Sequence, residues 1–155
     1  MATIVLTDAM VLVDGATAPP TVDISTYVKT VTINYSSEAL DVTAMGADTK
    51  IRKGGLFDWS IDLDLYQDFV DDGLDEDFWT AISTGAAVNI EIRPDHENRS
   101  AANAAYTCKG MIESWGPVAG TVGEMDMVRC RFVPTKKVAG ATHADCALAL
   151  QRKTA

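Results

Sequence analysis

Residues 54–69, GGLFDWSIDLDLYQDF, alternate apolar and polar side chains. Phe57, Trp59, Ile61, Leu63 and Leu65 hold the odd positions, and Asp58, Ser60, Asp62, Asp64 and Tyr66 the even ones. A period of two belongs to a strand with one face on a core and the other in water. The apolar row predicts Phe57, Trp59, Ile61 and Leu63 as core. The polar row sets three carboxylates on one face, Asp62 and Asp64 two apart and Asp58 four before Asp62, where like charges repel. What Asp58, Asp62 and Asp64 face is therefore the first functional question.

Working outward, KTVTINY (29–35) alternates Val31, Ile33 and Tyr35 with Thr30, Thr32 and Asn34, a second strand with one polar face, and ALDVT (39–43) continues as strand. Between them and the opening stretch, AMGADTKIRKGG (44–55) is polar and rich in glycine and cations, which predicts a long hairpin with a mobile tip. AMVLVDG (9–15) reads as a strand entering a turn, and GATAPPTV (15–22) as loop, because Pro19-Pro20 cannot feed a sheet ladder. DDGLDEDFWTAISTG (71–85) is the helix candidate. Its acids gather where a helix N-terminus favours negative charge, and Gly85 stands where a C-cap belongs. Leu74, Phe78, Trp79 and Ile82 are assigned to its buried face, with Phe78 and Trp79 as core residues. Strands resume at AVNIEIRP (87–94), AYTCKGMIESW (105–115) and EMDMVRCRFVP (124–134), separated by the polar loops DHENRSAANA and GPVAGTVG. One helix among many strands gives a mainly β (α+β) chain, a sandwich or barrel with a flanking helix.

A length of 155 residues predicts one domain spanning 1–155, with 1–8 and 136–155 as candidate terminal arms. The apolar piece Cys146–Leu150 reads as a final strand or part of an arm. Thirteen Lys and Arg against twenty-two Asp and Glu give a net charge of -9, which argues against a phosphate-neutralising nucleic-acid surface. The apolar run near the start, IVL, is far below the roughly 20 residues that span a bilayer. Manufacture and assembly in the cytosol are expected. Cys108, Cys130 and Cys146 lack CxxC spacing and read as reduced, buried thiols. Cys108 and Cys130 lie symmetrically about Ala119, as cross-strand neighbours of one hairpin would, with free thiols favoured over a bond.

No constellation points to catalysis, a cofactor or a metal. Asp62 and Asp64 with Asp68 nearby lack the turn and closing Glu of a calcium loop, and a strand holds them in a row where a cation needs them convergent. His96 and His143 fall in predicted loops without a neighbouring nucleophile motif. Lys50, Arg52 and Lys53 form a basic cluster in an acidic chain. They are a solvated hairpin tip, or a tip that meets an acidic surface such as another copy of the chain.

Residues 22–69 resemble the major tail protein of long-tailed bacteriophages, the tail tube protein. The likeness rests on Asp23 and Ser25 in a short turn, Asp41 and Thr43 after a strand, a glycine-bearing hairpin, then Gly55-Leu56 and Trp59 leading to Gln67-Asp68. The helix around Trp79, the strand ending at Pro94 and the glycine-rich turn before EMDMVRCRFVP extend it over most of the chain. The resemblance implies an antiparallel β-sandwich or barrel of the tail tube type with one flanking helix and a long hairpin loop. It implies six-membered rings, stacked into a hollow tube through which DNA passes without specific binding. The partners it implies are further copies of the chain, the tape measure protein, the tail terminator and baseplate or tip proteins. The implied place is the virion tail, assembled in the host bacterial cytoplasm, with no enzymatic activity and no cofactor. On this reading Asp58, Asp62 and Asp64 face the bore, or else an outer surface or subunit contact where Lys29 or Arg93 offsets them. Met45, Gly46, Lys50, Arg52 and Lys53 then form the inter-subunit hairpin. Rival readings are the tube protein of a contractile-injection or type VI secretion-like system, and a ligand-binding β-sandwich.

Overall fold

The opening stretch falls in the longest strand among the described residues, next to one end of the sheet. In the computed structural model, which describes residues 8–14, 20–46, 48–69, 73–135 and 151–153, the elements follow the chain as β1 (Met10–Asp14), β2 (Val22–Asp23), β3 (Val28–Asp41), β4 (Arg52–Tyr66), α1 (Leu74–Thr84), β5 (Val88–Arg93), β6 (Ala105–Trp115), β7 (Met127–Pro134) and β8 (Gln151–Lys153). They form one antiparallel sheet in the order β2-β1-β5-β6-β7-β4-β3, with β8 paired to the start of β6.

The connectivity forces this sheet to curl. β2 and β3 are its two ends, yet only residues 24–27 separate them in sequence. Six strand intervals of about 4.8 Å would set the ends of a flat sheet about 29 Å apart. Five Cα steps reach at most about 17 Å. The sheet therefore wraps towards a barrel. The turn is stitched on both sides: the Ile24 N–H donates to the Val11 carbonyl at 3.0 Å, and the Tyr66 N–H to the Tyr27 carbonyl at 2.7 Å. The Ser25 hydroxyl accepts the Val11 N–H at 2.8 Å, while the Asp23 carboxylate accepts the Ser25 N–H at 2.9 Å.

One contiguous apolar cluster fills the curl, drawing on Val11 and Val13 of β1, Trp59, Ile61, Leu63 and Leu65 of β4, Ile90 and Ile92 of β5, Ile112 of β6 and Phe132 of β7. α1 packs on β6 and inserts Leu74 and Phe78. The Phe78 ring meets Trp115 at 5.1 Å and Phe132 at 5.9 Å, both edge to face, the arrangement that the ring quadrupoles favour. The acids Asp75, Glu76 and Asp77 occupy its first turn, and Gly85 closes it in the left-handed conformation at φ 64°. Trp59 lies against Gly110, where an added Cβ would sit 2.6 Å from its ring and 2.5 Å from the Val133 carbonyl.

Two expected core residues are surface residues. Phe57 is 62% exposed and Trp79 is 59% exposed. β7 pairs with β4 only from Ile61 to Tyr66, so Arg52–Ser60 has β3 as its sole ladder partner among the described residues. Phe57 lies out on that two-stranded ribbon, stacked on Tyr35 at 5.8 Å. On α1 the inward line is Leu74, Phe78 and Ile82, each four residues apart, and Trp79 stands a quarter-turn off it. Trp59, Ile61, Leu63 and Phe78 are core as expected.

Two further expectations change. Cys108 and Cys130 are not cross-strand neighbours: Cys108 faces Ile90, and Cys130 faces Leu63 and Trp115. Both are free thiols, and burial pushes Cys108 up to about 12 and raises Cys130 as well. The ladder of the hairpin runs to Asp41↔Arg52, so the anticipated loop of residues 44–55 contracts to a turn of residues 42–51. Cys146–Leu150, His143 and most of the two candidate arms lie outside the described residues, whereas 151–153 form β8.

A charged sheet face and a projecting ribbon

The polar row of β4 stands between two complementary rows. On one side β3 sets Thr30 beside Asp64, Thr32 beside Asp62, Asn34 beside Ser60 and Ser36 beside Asp58. On the other, β7 sets Arg129 beside Asp64 and Arg131 beside Asp62. Arg129 Nε donates to Asp64 Oδ1 at 2.9 Å. Arg131 lies 3.9 Å from Asp62 and donates from Nε to Glu113 of β6 at 2.9 Å. Asn34 Nδ2 donates to Asp62 Oδ2 at 3.2 Å and Ser60 Oγ at 3.3 Å. The hydrogen bond to Asp64, then its charge and that of Asp62, hold the Arg129 guanidinium above its ordinary value. An open groove of about 570 Å³ runs over this face, lined by Asn34, Ser36, Asp58, Ser60, Glu113 and Arg131 among others.

The three carboxylates are thus brought onto one face, as the alternation predicts, and two of them are offset. Within the chain the offsetting cations are Arg129 and Arg131. Lys29 Nζ instead approaches Met127 Sδ at 3.3 Å, and Arg93 is engaged with Glu91. The missed signal is in the sequence: VRCRFV places Arg129 and Arg131 two apart between buried Val128, Cys130 and Phe132. That is the spacing that matches Asp62 and Asp64 across an antiparallel ladder.

The hairpin candidates also come together, at the far end of the β3–β4 ribbon. Asp41 Oδ1 accepts the Thr43 N–H at 2.9 Å and its hydroxyl at 2.6 Å. The Ile51 N–H donates to Thr43 Oγ1 at 2.9 Å, and the Val42 N–H to the Ile51 carbonyl at 2.9 Å. The turn is therefore tied at its neck. Gly46 takes φ 96°, which side chains rarely adopt, and Met45 beside it is fully exposed. Lys50, Arg52 and Lys53 are exposed around it.

A second polar centre escaped the sequence reading. Glu91 of β5 is fully buried. Arg93 Nε donates to its Oε1 at 2.6 Å, Arg99 Nε to the same oxygen at 3.0 Å, and Arg99 Nη2 to Oε2. Burial opposes its ionisation, but Arg99 and Arg93 outweigh that and hold the carboxyl below its usual value. Asn103 accepts the Asp95 N–H at 3.2 Å and donates to the Asp95 carbonyl at 3.0 Å and the Glu97 carbonyl at 2.8 Å. The β5–β6 loop is built on these two residues. His96 of that loop reaches the Asp8 carbonyl at 3.1 Å and Asp23 Oδ2 at 3.3 Å. Hydrogen bonding to the Asp8 backbone, and then to Asp23, raises its pKa against partial burial.

The fold is shared with solved tail assemblies. The tail of an empty gene transfer agent particle, refined helically with C6 symmetry, superposes with a TM-score of 0.64 at 17% identity, covering 87% of this chain and 96% of that one. A chain of a native gene transfer agent virion gives 0.62 at 18% identity over 83% of this chain and 92% of its own. The SPP1 tail tube gives 0.66 at 15% identity over 84% and 75%. No curated protein matches by sequence. The family model described as phage tail tube protein matches residues 6–132, which takes in the ribbon, the charged face, the helix and most of β7. The chain belongs to the phage tail tube protein family.

Proposed function

We propose that this tail tube subunit is the major one of its tail, that six copies close into a ring, and that stacked rings form the bore through which DNA is delivered to the host. The observation that carries the reading is the likeness, over 87% of the chain, to a tail refined with C6 symmetry. The family match over residues 6–132 supports it. In this reading the chain works by shape and charge rather than by catalysis, and its other partners are the proteins that set tail length and close the tube ends. Negative-stain microscopy of purified protein tests it: rings or tubes are expected, and a preparation that stays monomeric at high concentration overturns it.

The β3–β4–β7 face is the one we assign to the bore. Around the ion pairs it carries Asp58, Asp62, Asp64 and Glu113 against Arg129 and Arg131, four carboxylates to two guanidiniums. The surplus is negative even with Lys29, whose ammonium reaches Met127 at the edge of this face, and the β3 row of Thr30, Thr32, Asn34 and Ser36 is uncharged hydroxyl and amide. Such a wall repels phosphate mildly and gives it few fixed cations to neutralise. Replacing Asp58, Asp62 and Asp64 together with lysine tests the assignment. Exposed ion pairs contribute little to folding, although two of the new lysines would stand opposite arginines. Assembly is expected to persist while genome delivery falls, with retained DNA released steeply by added salt. Wild-type delivery at low salt would remove this face from the bore, and lost assembly with a folded subunit would place it at a subunit contact.

A further inference from the structure

At the β2 end of the sheet three chain segments meet on one imidazole. His96, in the β5–β6 loop, has Nδ1 3.0 Å from Asp8 Oδ1 and 3.1 Å from the Asp8 carbonyl, and Nε2 3.3 Å from Asp23 Oδ2. Asp8 stands just ahead of β1, bridged to Asp95 beside the histidine, and Asp23 ends β2. The partner atoms on both sides of the ring are acceptors. A neutral imidazole has one N–H and can serve only one side, whereas the imidazolium donates to both. Asp23 also holds the turn that follows it: its Oδ1 accepts the N–H and the hydroxyl of Ser25, and Ser25 Oγ accepts the Val11 N–H at 2.8 Å. β2 is two residues long and pairs with β1 only as Asp23 with Leu12 and Val22 with Val13. So short a strand depends on what anchors the Asp23 corner.

We propose that His96 is a pH-responsive clasp: as the imidazolium it ties Asp8 and Asp23 to the β5–β6 loop, and on losing its Nε2 proton it releases Asp23 and lets the β2 end of the sheet open. Nδ1 keeps the remaining proton because it faces two oxygens of Asp8, both nearer than Asp23. The surrounding charge favours the closed form. Among the described residues, the acids facing the ring or beside it in the chain are Asp8, Asp23, Asp95 and Glu97. Arg93 and Arg99 are engaged with Glu91, and Lys29, which lines the same groove as His96, has its ammonium at Met127. Burial opposes ionisation of Asp23, but Ser25 and then His96 outweigh it and hold the carboxyl below its usual value. The histidine is shifted the other way, above its ordinary 6.5. Its contribution is therefore complete below about pH 6.5 and is lost as pH rises through the higher folded value. The His96 side chain is 37% exposed and that of Asp23 43%, so water screens the pair and the clasp governs local opening rather than global unfolding. It operates in the single subunit and does not rest on the tube reading.

Hydrogen exchange read by mass spectrometry tests the clasp on free subunits and assemblies alike. Exchange of the imidazole C2 hydrogen follows the titration of each ring, and separate peptides distinguish His96 from His143. The His96 midpoint is expected above 6.5 in the wild type and lower in Asp23→Asn. Amide exchange of the peptides carrying Val11 and Ser25, corrected for the intrinsic rate, is expected to quicken several-fold between about pH 5.5 and about pH 8. In His96→Gln, whose amide can hydrogen-bond but takes no charge, the corrected rate is expected to be the same at both ends of that range. A wild-type midpoint at or below 6.5, an unshifted midpoint in Asp23→Asn, or a quickening that persists in His96→Gln would each overturn the clasp.

Discussion

Trp59→Ala is expected to lower stability by about 3–5 kcal/mol, the cost of truncating a large buried aromatic in a core that cannot collapse around the space. Trp59 is 3% exposed and opposes Tyr35 at the root of the ribbon, the last fully covered residue before β4 leaves the body of the sheet. Its ring fills the hollow over Gly110, which has no side chain of its own to take the space. Because the residue fixes where the ribbon departs, its loss weakens the core and the aim of the hairpin together. Urea unfolding is the measurement, with an unchanged m-value and a shifted midpoint expected. Phe57→Ala, two residues away on the same side of the strand, serves as the contrast. At 62% exposure it is expected to cost less than about 1 kcal/mol. Equal losses in the two variants would show that the ribbon is packed as deeply as the sheet.

That contrast also marks where the sequence stops being informative. Period-two alternation identifies the inward row of 57–65, and it is correct about which way each side chain points. It carries nothing about how far the neighbouring strand extends, and it is the end of the β7 ladder at Ile61 that leaves Phe57 uncovered. The same gap explains Trp79: a helix has an apolar arc, but only the tertiary contact with β6 chooses the line through Leu74 and Phe78 over the next side chain round. The acidic row was legible as a row. Its partners were not, because the β4–β7 pairing joins residues 65 apart, as in Asp64 and Arg129, and register between distant strands is set by the packed core rather than by either strand alone. The buried Glu91 was hidden for a related reason. VNIEIR looks like an ordinary alternating strand, yet five of its six residues are buried, and Arg99 from the following loop supplies what makes a carboxylate tolerable there.

Removing both guanidiniums from Glu91, as Arg93→Met with Arg99→Met, is expected to cost about 3–5 kcal/mol at neutral pH, because a fully buried carboxylate is left without its counter-charges. Replacing the whole cluster by apolar residues, with Glu91→Leu added, is expected to recover much of that loss, since the penalty comes from the orphaned charge more than from the absent pair. The dependence on pH separates this account from simple loss of packing. In the wild type the Glu91 carboxyl is depressed below its unfolded value, so its contribution is present above about pH 4.3 and fades as pH falls through the lower folded value. Without the arginines only burial acts, the folded value rises above the unfolded one, and protonation then favours the folded state. The deficit of the double variant is therefore expected to narrow as pH is lowered from 7 to 5, while wild type holds steady over that range at this site. A deficit that stays constant with pH, or widens in acid, would mean that Glu91 reaches water through the β5–β6 loop and that the loop is held by Asn103 rather than by the buried charge.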